Sequence, residues 1–410
     1  MTTGHKDYAV VIKNLDYSID DVKILKDINL CVGRGEFVGL IGPNGAGKTT
    51  LLKCIGGIYS YNSGEIYVNH LNIKHTDCKK VAREVSLMHQ NTHITFPFPA
   101  IDVVLTGRYP YLKRFETESS EDYRIARKYM SYTDTLKFES KPVTNMSGGE
   151  RQRVLFAKVL TQETDLILLD EPTASLDISH EEQIFKYCNE LVANGKTAIV
   201  AVHDLKLASR YCSRLVLMKD GEIISDGSVE EVLTPENLSV AYGVRAVVYK
   251  NRITGLLDFY THKLEHGKSR KKIHVIGGGG SASGIIRQLF EYGHEVSTGV
   301  LFPGDSDLQC ADVFGIKTVV SEPFNGISEQ YFNKNVEYIK DADLTVLCNM
   351  PFGIQNIKNL EAASFAKNLV IIEDDPPMSR DYTCGQALKI YEKLAQKAII
   401  TTSAKLHEVI

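Results

Sequence analysis

Phe37-Val38-Gly39-Leu40-Ile41-Gly42-Pro43-Asn44-Gly45-Ala46-Gly47-Lys48-Thr49-Thr50-Leu51-Leu52 is the stretch on which the reading of this chain turns. Its first five residues are an apolar run of strand character, and residues 49–55 are an apolar helical run. Between them, residues 42–49 fit the pattern G-x-x-x-x-G-K-[ST]. Small residues in such a loop let backbone N–H groups wrap phosphate oxygens where the next helix begins, with the helix's unpaired amides behind them. Strand, glycine loop and helix in that order mark a phosphate-binding loop. Lys48 would reach the β- and γ-phosphates of a nucleotide, and the Thr49 hydroxyl would hold Mg²⁺. Asn44, Gly45, Ala46, Gly47, Lys48, Thr49 and Thr50 are therefore the candidate nucleotide-binding residues. The motif alone does not separate a kinase, a GTPase and a transport ATPase.

Upstream, residues 9–15, 27–32 and 36–41 are short apolar runs broken by residues 33–35, which predicts a β-rich entrance. Downstream, residues 165–169, 197–202 and 214–218 are apolar runs, each preceded by a helix-like segment. That alternation predicts an α/β core around a buried, largely parallel sheet. One of these runs ends in Asp170 and Glu171. A strand ending beside the phosphate loop would put Asp170 near the metal and leave Glu171 as the general base.

At 410 residues the chain exceeds the usual single-domain range, so two domains are expected. Apolar residues at 43% and charged residues at 24% are those of an ordinary globular protein, and a net charge of −4 gives no electrostatic reason to expect nucleic acid. The eight cysteines are scattered without a CxxC pair, which argues against a disulfide framework or a zinc site. Residues 1–8 carry no apolar signal core, and no run approaches the roughly 18 apolar residues of a spanning helix. A cytoplasmic location is expected, with any membrane reached through a partner.

Asn145-Met146-Ser147-Gly148-Gly149-Glu150-Arg151-Gln152-Arg153, followed by a helix-like segment leading into the Asp170 strand, resembles the signature sequence of ABC ATPases. Ser147 and the Gly148 and Gly149 amides at a helix start are suited to cap a γ-phosphate, while Ser147 also serves as an ordinary N-cap. Three further elements are similar to the family's in order: Gln90 to the glutamine that senses Mg²⁺ and water, Ser175-Leu176-Asp177 to the D-loop, and His203 to the switch histidine. Tyr17 resembles the aromatic that stacks on adenine, although a tyrosine in a β-rich segment equally fits packing. The resemblance covers residues 8–260. Residues 102–110 and 232–243 are similar to the importers of ferric siderophores, haem and vitamin B12. Met146 stands where the family often has leucine, and Glu150 where glutamine is common.

What the resemblance implies is a P-loop ABC ATPase domain with a β-rich subdomain, a RecA-like core and a helical subdomain. Catalysis would fall to Glu171, His203, Gln90 and Lys48, and Mg²⁺ to Thr49, Gln90 and Asp170. ATP would lie between the phosphate loop of one copy and Ser147 of a second, in a homodimer. The partners implied are integral membrane permease subunits and, indirectly, an external substrate-binding protein, with no nucleic acid. The protein would sit peripherally on the inner face of the cell membrane. A rival reading is a non-transport ABC ATPase acting on DNA or ribosomes.

Residues 261–272 are polar and basic and are expected to link this domain to a second one over residues 273–410. There, strand-like runs at 273–276, 296–301, 317–320, 344–347 and 369–372 predict a smaller, doubly wound, Rossmann-like domain. Gly278, Gly280 and Gly284 fit a G-x-G-x-x-x-G variant of the dinucleotide fingerprint, a pattern that a plain tight turn also satisfies. Asp305, Asp307, Asn349, Glu373 and Asp374 are expected on the same carboxyl edge, where so many carboxylates would repel a bare phosphate unless they meet ribose hydroxyls or a cation. This extension resembles one behind the ATPase of some archaeal vitamin B12 importers; since every catalytic motif lies before Thr261, a ligand-sensing module that tunes transport without contributing to hydrolysis is expected here.

Overall fold

The computed structural model describes residues 8–90, 94–173, 178–252, 254–262, 270–323 and 325–410. The D-loop residues Ser175, Leu176 and Asp177, and residues 263–269 of the expected linker, lie outside the described residues. The chain forms two compact units, Met1–Gly243 with Lys250–Asp258, and Val244–Tyr249 with Phe259–Ile410.

In the first unit, β1 (Tyr8–Ile19) and β2 (Val22–Gly33) pair antiparallel and join β4 (Ser63–Val68) and β5 (Leu71–Asn72) in a four-stranded sheet. The central sheet has the order β10-β9-β3-β8-β7-β6, built from β3 (Phe37–Ile41), β6 (Val85–Met88), β7 (Leu166–Asp170), β8 (Thr197–Ala201), β9 (Arg214–Lys219) and β10 (Glu222–Gly227). All are parallel except β10, which pairs antiparallel with β9. Every residue of β3, β7 and β8 is buried, which is why these strands read as continuous apolar runs instead of alternating. Leu51, Leu52 and Ile55 of the helix Lys48–Ile55 pack in one core with Val38, Leu40, Leu168 and Ile199.

Residues between β6 and β7 supply the helices Ala100–Leu105, Ser120–Tyr132 and Gly148–Thr161. Arg108, nearly buried, ties them together by pairing with Asp122 at 2.9 Å and donating to the Thr161 carbonyl at 3.1 Å. Among the described residues no helix is long and apolar enough to cross a membrane.

A two-stranded pair, β11 (Arg245–Lys250) and β12 (Leu257–His262), follows in the chain, and the second unit is built on a six-stranded parallel sheet. Its strands are β13 (Lys272–Ile276), β14 (Glu295–Leu301), β15 (Lys317–Val320), β16 (Leu344–Leu347), β17 (Leu369–Ile372) and β18 (Ile399–Thr401), in the order β15-β14-β13-β16-β17-β18. Both faces are covered. Ile273 and Val275 enter one cluster with Ile285 and Leu289, while Ile276 enters another with Val336 and Leu360. This doubly wound arrangement is the expected one, with one strand more than the apolar runs revealed: β18 is only three residues long and half exposed.

Candidate functional site

Four neighbouring strands, β3, β8, β7 and β6, run parallel, so the residues after each emerge on one carboxyl edge. That edge is where open α/β sheets place their ligands. It receives the glycine loop from β3, Asp170 and Glu171 from β7, His203 from just beyond β8, and Gln90 from just beyond β6.

The loop must be glycine where it is glycine. Gly42 has φ 142°, and a Cβ there would lie 2.1 Å from the Met218 carbonyl oxygen. Gly47, at φ 99°, is the N-cap of the helix Lys48–Ile55, and a Cβ there would meet Leu25 Cδ2 at 2.8 Å. Lys48 is buried and folds back along the loop, its Nζ donating to the carbonyls of Gly42 at 2.7 Å and Pro43 at 3.0 Å. Burial pushes its pKa down, opposed by the nearby carboxylates of Glu171 and Asp170.

Thr49 Oγ1 donates to Asp170 Oδ1 at 2.8 Å. Asp170 is 1% exposed, and burial pushes its carboxyl above the usual range, opposed first by the Thr49 hydrogen bond. A hydroxyl and a carboxylate side by side at the helix start are two oxygens of the kind Mg²⁺ takes. Among the described residues no group of three or more His, Cys, Asp or Glu side chains gathers to hold a metal, so a cation here would draw its other ligands from Gln90, phosphate and water.

Glu171 has a left-handed backbone, φ 48°, that aims its side chain back over the edge. Its amide donates to the Ala201 carbonyl at 3.2 Å, tying it to β8. One carboxylate oxygen accepts from Gln90 Nε2 and the other meets His203 Nε2. The sheet thus brings together Lys48, Thr49, Asp170, Glu171, Gln90 and His203.

Ser147, Gly148 and Gly149 stand apart from this cluster. They open the helix Gly148–Thr161, where Ser147 Oγ accepts from the Glu150 amide at 3.2 Å and Glu150 Oε2 accepts from the Ser147 amide at 2.9 Å. Lys141, followed by the bonds from Ser147, holds the Glu150 carboxyl below its usual range. A glutamate in place of glutamine therefore completes a capping box and an ion pair. Ser147 and Gly148 are exposed.

Tyr17 is placed differently from a free adenine platform. It is 8% exposed within the core, and one face stacks on Tyr59 with centroids 5.4 Å apart and planes 2° from parallel. Two residues carry no role in the motif reading. Gln152, inside the signature stretch, donates to the Pro172 carbonyl at 2.9 Å and so ties the signature helix to the chain just after Glu171. His89, beside Gln90, is half-buried, which pushes its pKa down, and Asp170 lies close enough to oppose this. Neither has a spacing signal; both depend on segments far apart in sequence.

The sequence pattern described as ABC transporter matches residues 25–174, and a second, described as the MJ0874 family, matches residues 296–407. Over 320 residues the chain is 34% identical to the cobalamin import ATP-binding protein BtuD of Halobacterium salinarum, covering 78% of this chain and 80% of that one. Over 256 residues it is 34% identical to the ferric enterobactin transport ATP-binding protein FepC of Escherichia coli, covering 62% and 89%. Its fold matches a metal-chelate type ABC transporter solved in an inward-facing conformation, with a TM-score of 0.56 at 23% identity over 63% of this chain and 98% of that one.

Proposed function

Because this chain belongs to the ATP-binding proteins of ABC transporters, an ATPase family, we propose that it powers uptake of a ferric siderophore, haem or cobalamin through a membrane permease carried on separate chains. Relatives named for cobalamin, hemin and ferric enterobactin transport support that range of cargo. The observation that carries the mechanism is the meeting of Glu171 with Gln90 and His203 beside the Thr49–Asp170 pair.

ATP enters with its phosphates on the amides of residues 44–50, and Lys48 turns from the loop carbonyls to the β- and γ-phosphates. Thr49, Asp170 and Gln90 would hold Mg²⁺, which would supply positive charge against the charge developing on the phosphate oxygens. Glu171 takes the proton of the attacking water, and His203, released from Glu171, donates to the γ-phosphate.

Ser147 and Gly148 are exposed, Gly149 is half-buried, and all three lack a hydrogen bond to the phosphate loop of their own chain among the described residues, which supports their use by a second copy. Two chains then enclose two nucleotides. Gln152 links that movement to the segment carrying Glu171. Tyr17 serves adenine only by parting from Tyr59. The helices between β6 and β7 grip the permease, which holds the protein on the inner face of the membrane, and an external binding protein delivers cargo. Residues 273–410 form a separate regulatory domain.

The test is ATP turnover in proteoliposomes containing this chain and its permease, with each class of loaded binding protein. Cargo-stimulated turnover that vanishes in Glu171→Gln is the expected result. Stimulation by DNA or ribosomes, with none by permease, refutes the reading.

A further inference from the structure

The second unit holds a cavity of about 470 Å³ at the carboxyl ends of β13, β14 and β16. The sheet's strand order reverses between β13 and β16, the point at which doubly wound folds bind small molecules, and the volume suits one. By its pattern, the glycine loop after β13 should hold the pyrophosphate of a dinucleotide. The amides of Gly278, Gly279, Ala282 and Ser283 are already taken.

Asp307, fully buried, accepts from the amides of Gly278 at 3.0 Å, Ala282 at 3.0 Å and Ser283 at 2.7 Å, and from Ser283 Oγ at 2.6 Å. Asp305 accepts from the Gly279 amide at 2.9 Å. The four N–H groups that would face a phosphate at the start of the helix Ser283–Glu291 therefore face carboxylates supplied from beyond β14. An arriving phosphate meets negative charge, and these donors are spent.

The rest of the lining points the same way. Among the described residues it contains no Lys, Arg or His, and Asp305 is its one charged side chain. Asn359, also on the wall, has both amide atoms occupied by the Val300 backbone, at 2.9 Å and 2.8 Å. Val300, Phe302 and Ile354 make the walls apolar, and Tyr382 adds a second aromatic ring at the rim.

We propose that this cavity binds an organic ammonium compound, a cationic nitrogen on a compact apolar body, and that its glycine loop, closed by Asp305 and Asp307, turns phosphate-bearing nucleotides away. Asp305 supplies the countercharge. Phe302 and Tyr382 offer ring faces to the cation.

The experiment is a calorimetric titration of the full-length protein, its ATPase site saturated with ADP, with three probes: tryptamine, indole-3-propionate and NAD⁺. Tryptamine binds; the matched anion and NAD⁺ neither bind nor displace it. Asp305→Asn, which keeps an N-cap residue at the start of the helix Ser306–Val313, weakens tryptamine at least tenfold. Gly353→Leu abolishes binding by filling the cavity, because a Cβ at Gly353 would have Asn356 Oδ1 at 3.9 Å as its nearest neighbour and so fits without strain. No tryptamine binding to the parent, equal binding to parent and both variants, or displacement of tryptamine by NAD⁺ overturns the proposal.

Discussion

Replacing Glu171 by glutamine isolates the proton-accepting function of its side chain. The carboxylate accepts from Gln90 Nε2 and meets His203 Nε2, so an amide of the same shape has a carbonyl oxygen to accept one of these bonds. Its NH₂ then faces the other partner. The Gln90 amide turns to present oxygen, or neutral His203 presents an unprotonated nitrogen, and both bonds survive. The change in folding stability should therefore stay within about 1 kcal/mol, the net worth of one such bond. Catalysis is different, because an amide cannot take a proton from water near neutral pH. General-base catalysis is worth about 10²–10⁴-fold, or roughly 2.7–5.4 kcal/mol at 1.36 kcal/mol per factor of ten. Nucleotide binding should not weaken, since Lys48 and the loop amides are untouched and one negative charge beside the phosphates is gone. The assay is phosphate release from Mg-ATP, run beside size-exclusion chromatography. Turnover should fall at least 100-fold while an ATP-bound dimer accumulates. Turnover within about threefold of the parent, less than half a factor-of-ten step in barrier, would refute Glu171 as the base.

Ser147→Arg should abolish hydrolysis while leaving nucleotide binding to the single chain intact, as measured with a fluorescent ATP analogue; parent-level turnover would sink the two-chain enclosure. Tyr17→Ala should lower thermal stability by an amount of about 3 kcal/mol or more, because the ring is buried and stacked on Tyr59, and should also weaken nucleotide binding. Tyr17→Phe keeps the ring and should do neither, and unchanged affinity in folded Tyr17→Ala assigns the residue to packing alone. In the second unit His274 is fully buried beside Ser297, with Nδ1 2.9 Å from its Oγ, and burial lowers its pKa to about 3. The unfolded chain then binds a proton below pH ~6.5 that the folded chain refuses, so stability is lost as pH falls from there toward 3, by about 2 kcal/mol at pH 5. His274→Leu should flatten that slope for the unfolding transition of the second unit in calorimetry, and an unchanged slope would place the titration elsewhere.

The parts readable from the sequence are those whose physics is local. The glycine loop announces itself because Gly42 and Gly47 need backbone angles and clearances that few other residues allow, and those needs are set within a few residues of Lys48. The buried strands β3, β7 and β8 announce themselves because parallel strands covered on both faces must be apolar throughout. The strand β18 does not, since three half-exposed residues carry no periodicity above the background of a loop.

What only the tertiary structure decided is which side chains meet. Strand order set Gln90, Glu171 and His203 against one another, and pairing across a sheet depends on packing of segments that no spacing encodes. The same holds for Tyr17, whose aromatic character alone leaves a stacking platform and a packing partner equally open until Tyr59 is found on its face. It holds most clearly in the second unit. There the sequence placed a glycine loop and two aspartates on one sheet edge, but a carboxylate held as a loop's ligand and one left free to repel a ligand have the same spelling. Only the hydrogen bonds from Gly278, Ala282 and Ser283 to Asp307 distinguish them, because they form between strands that the chain brings together by folding.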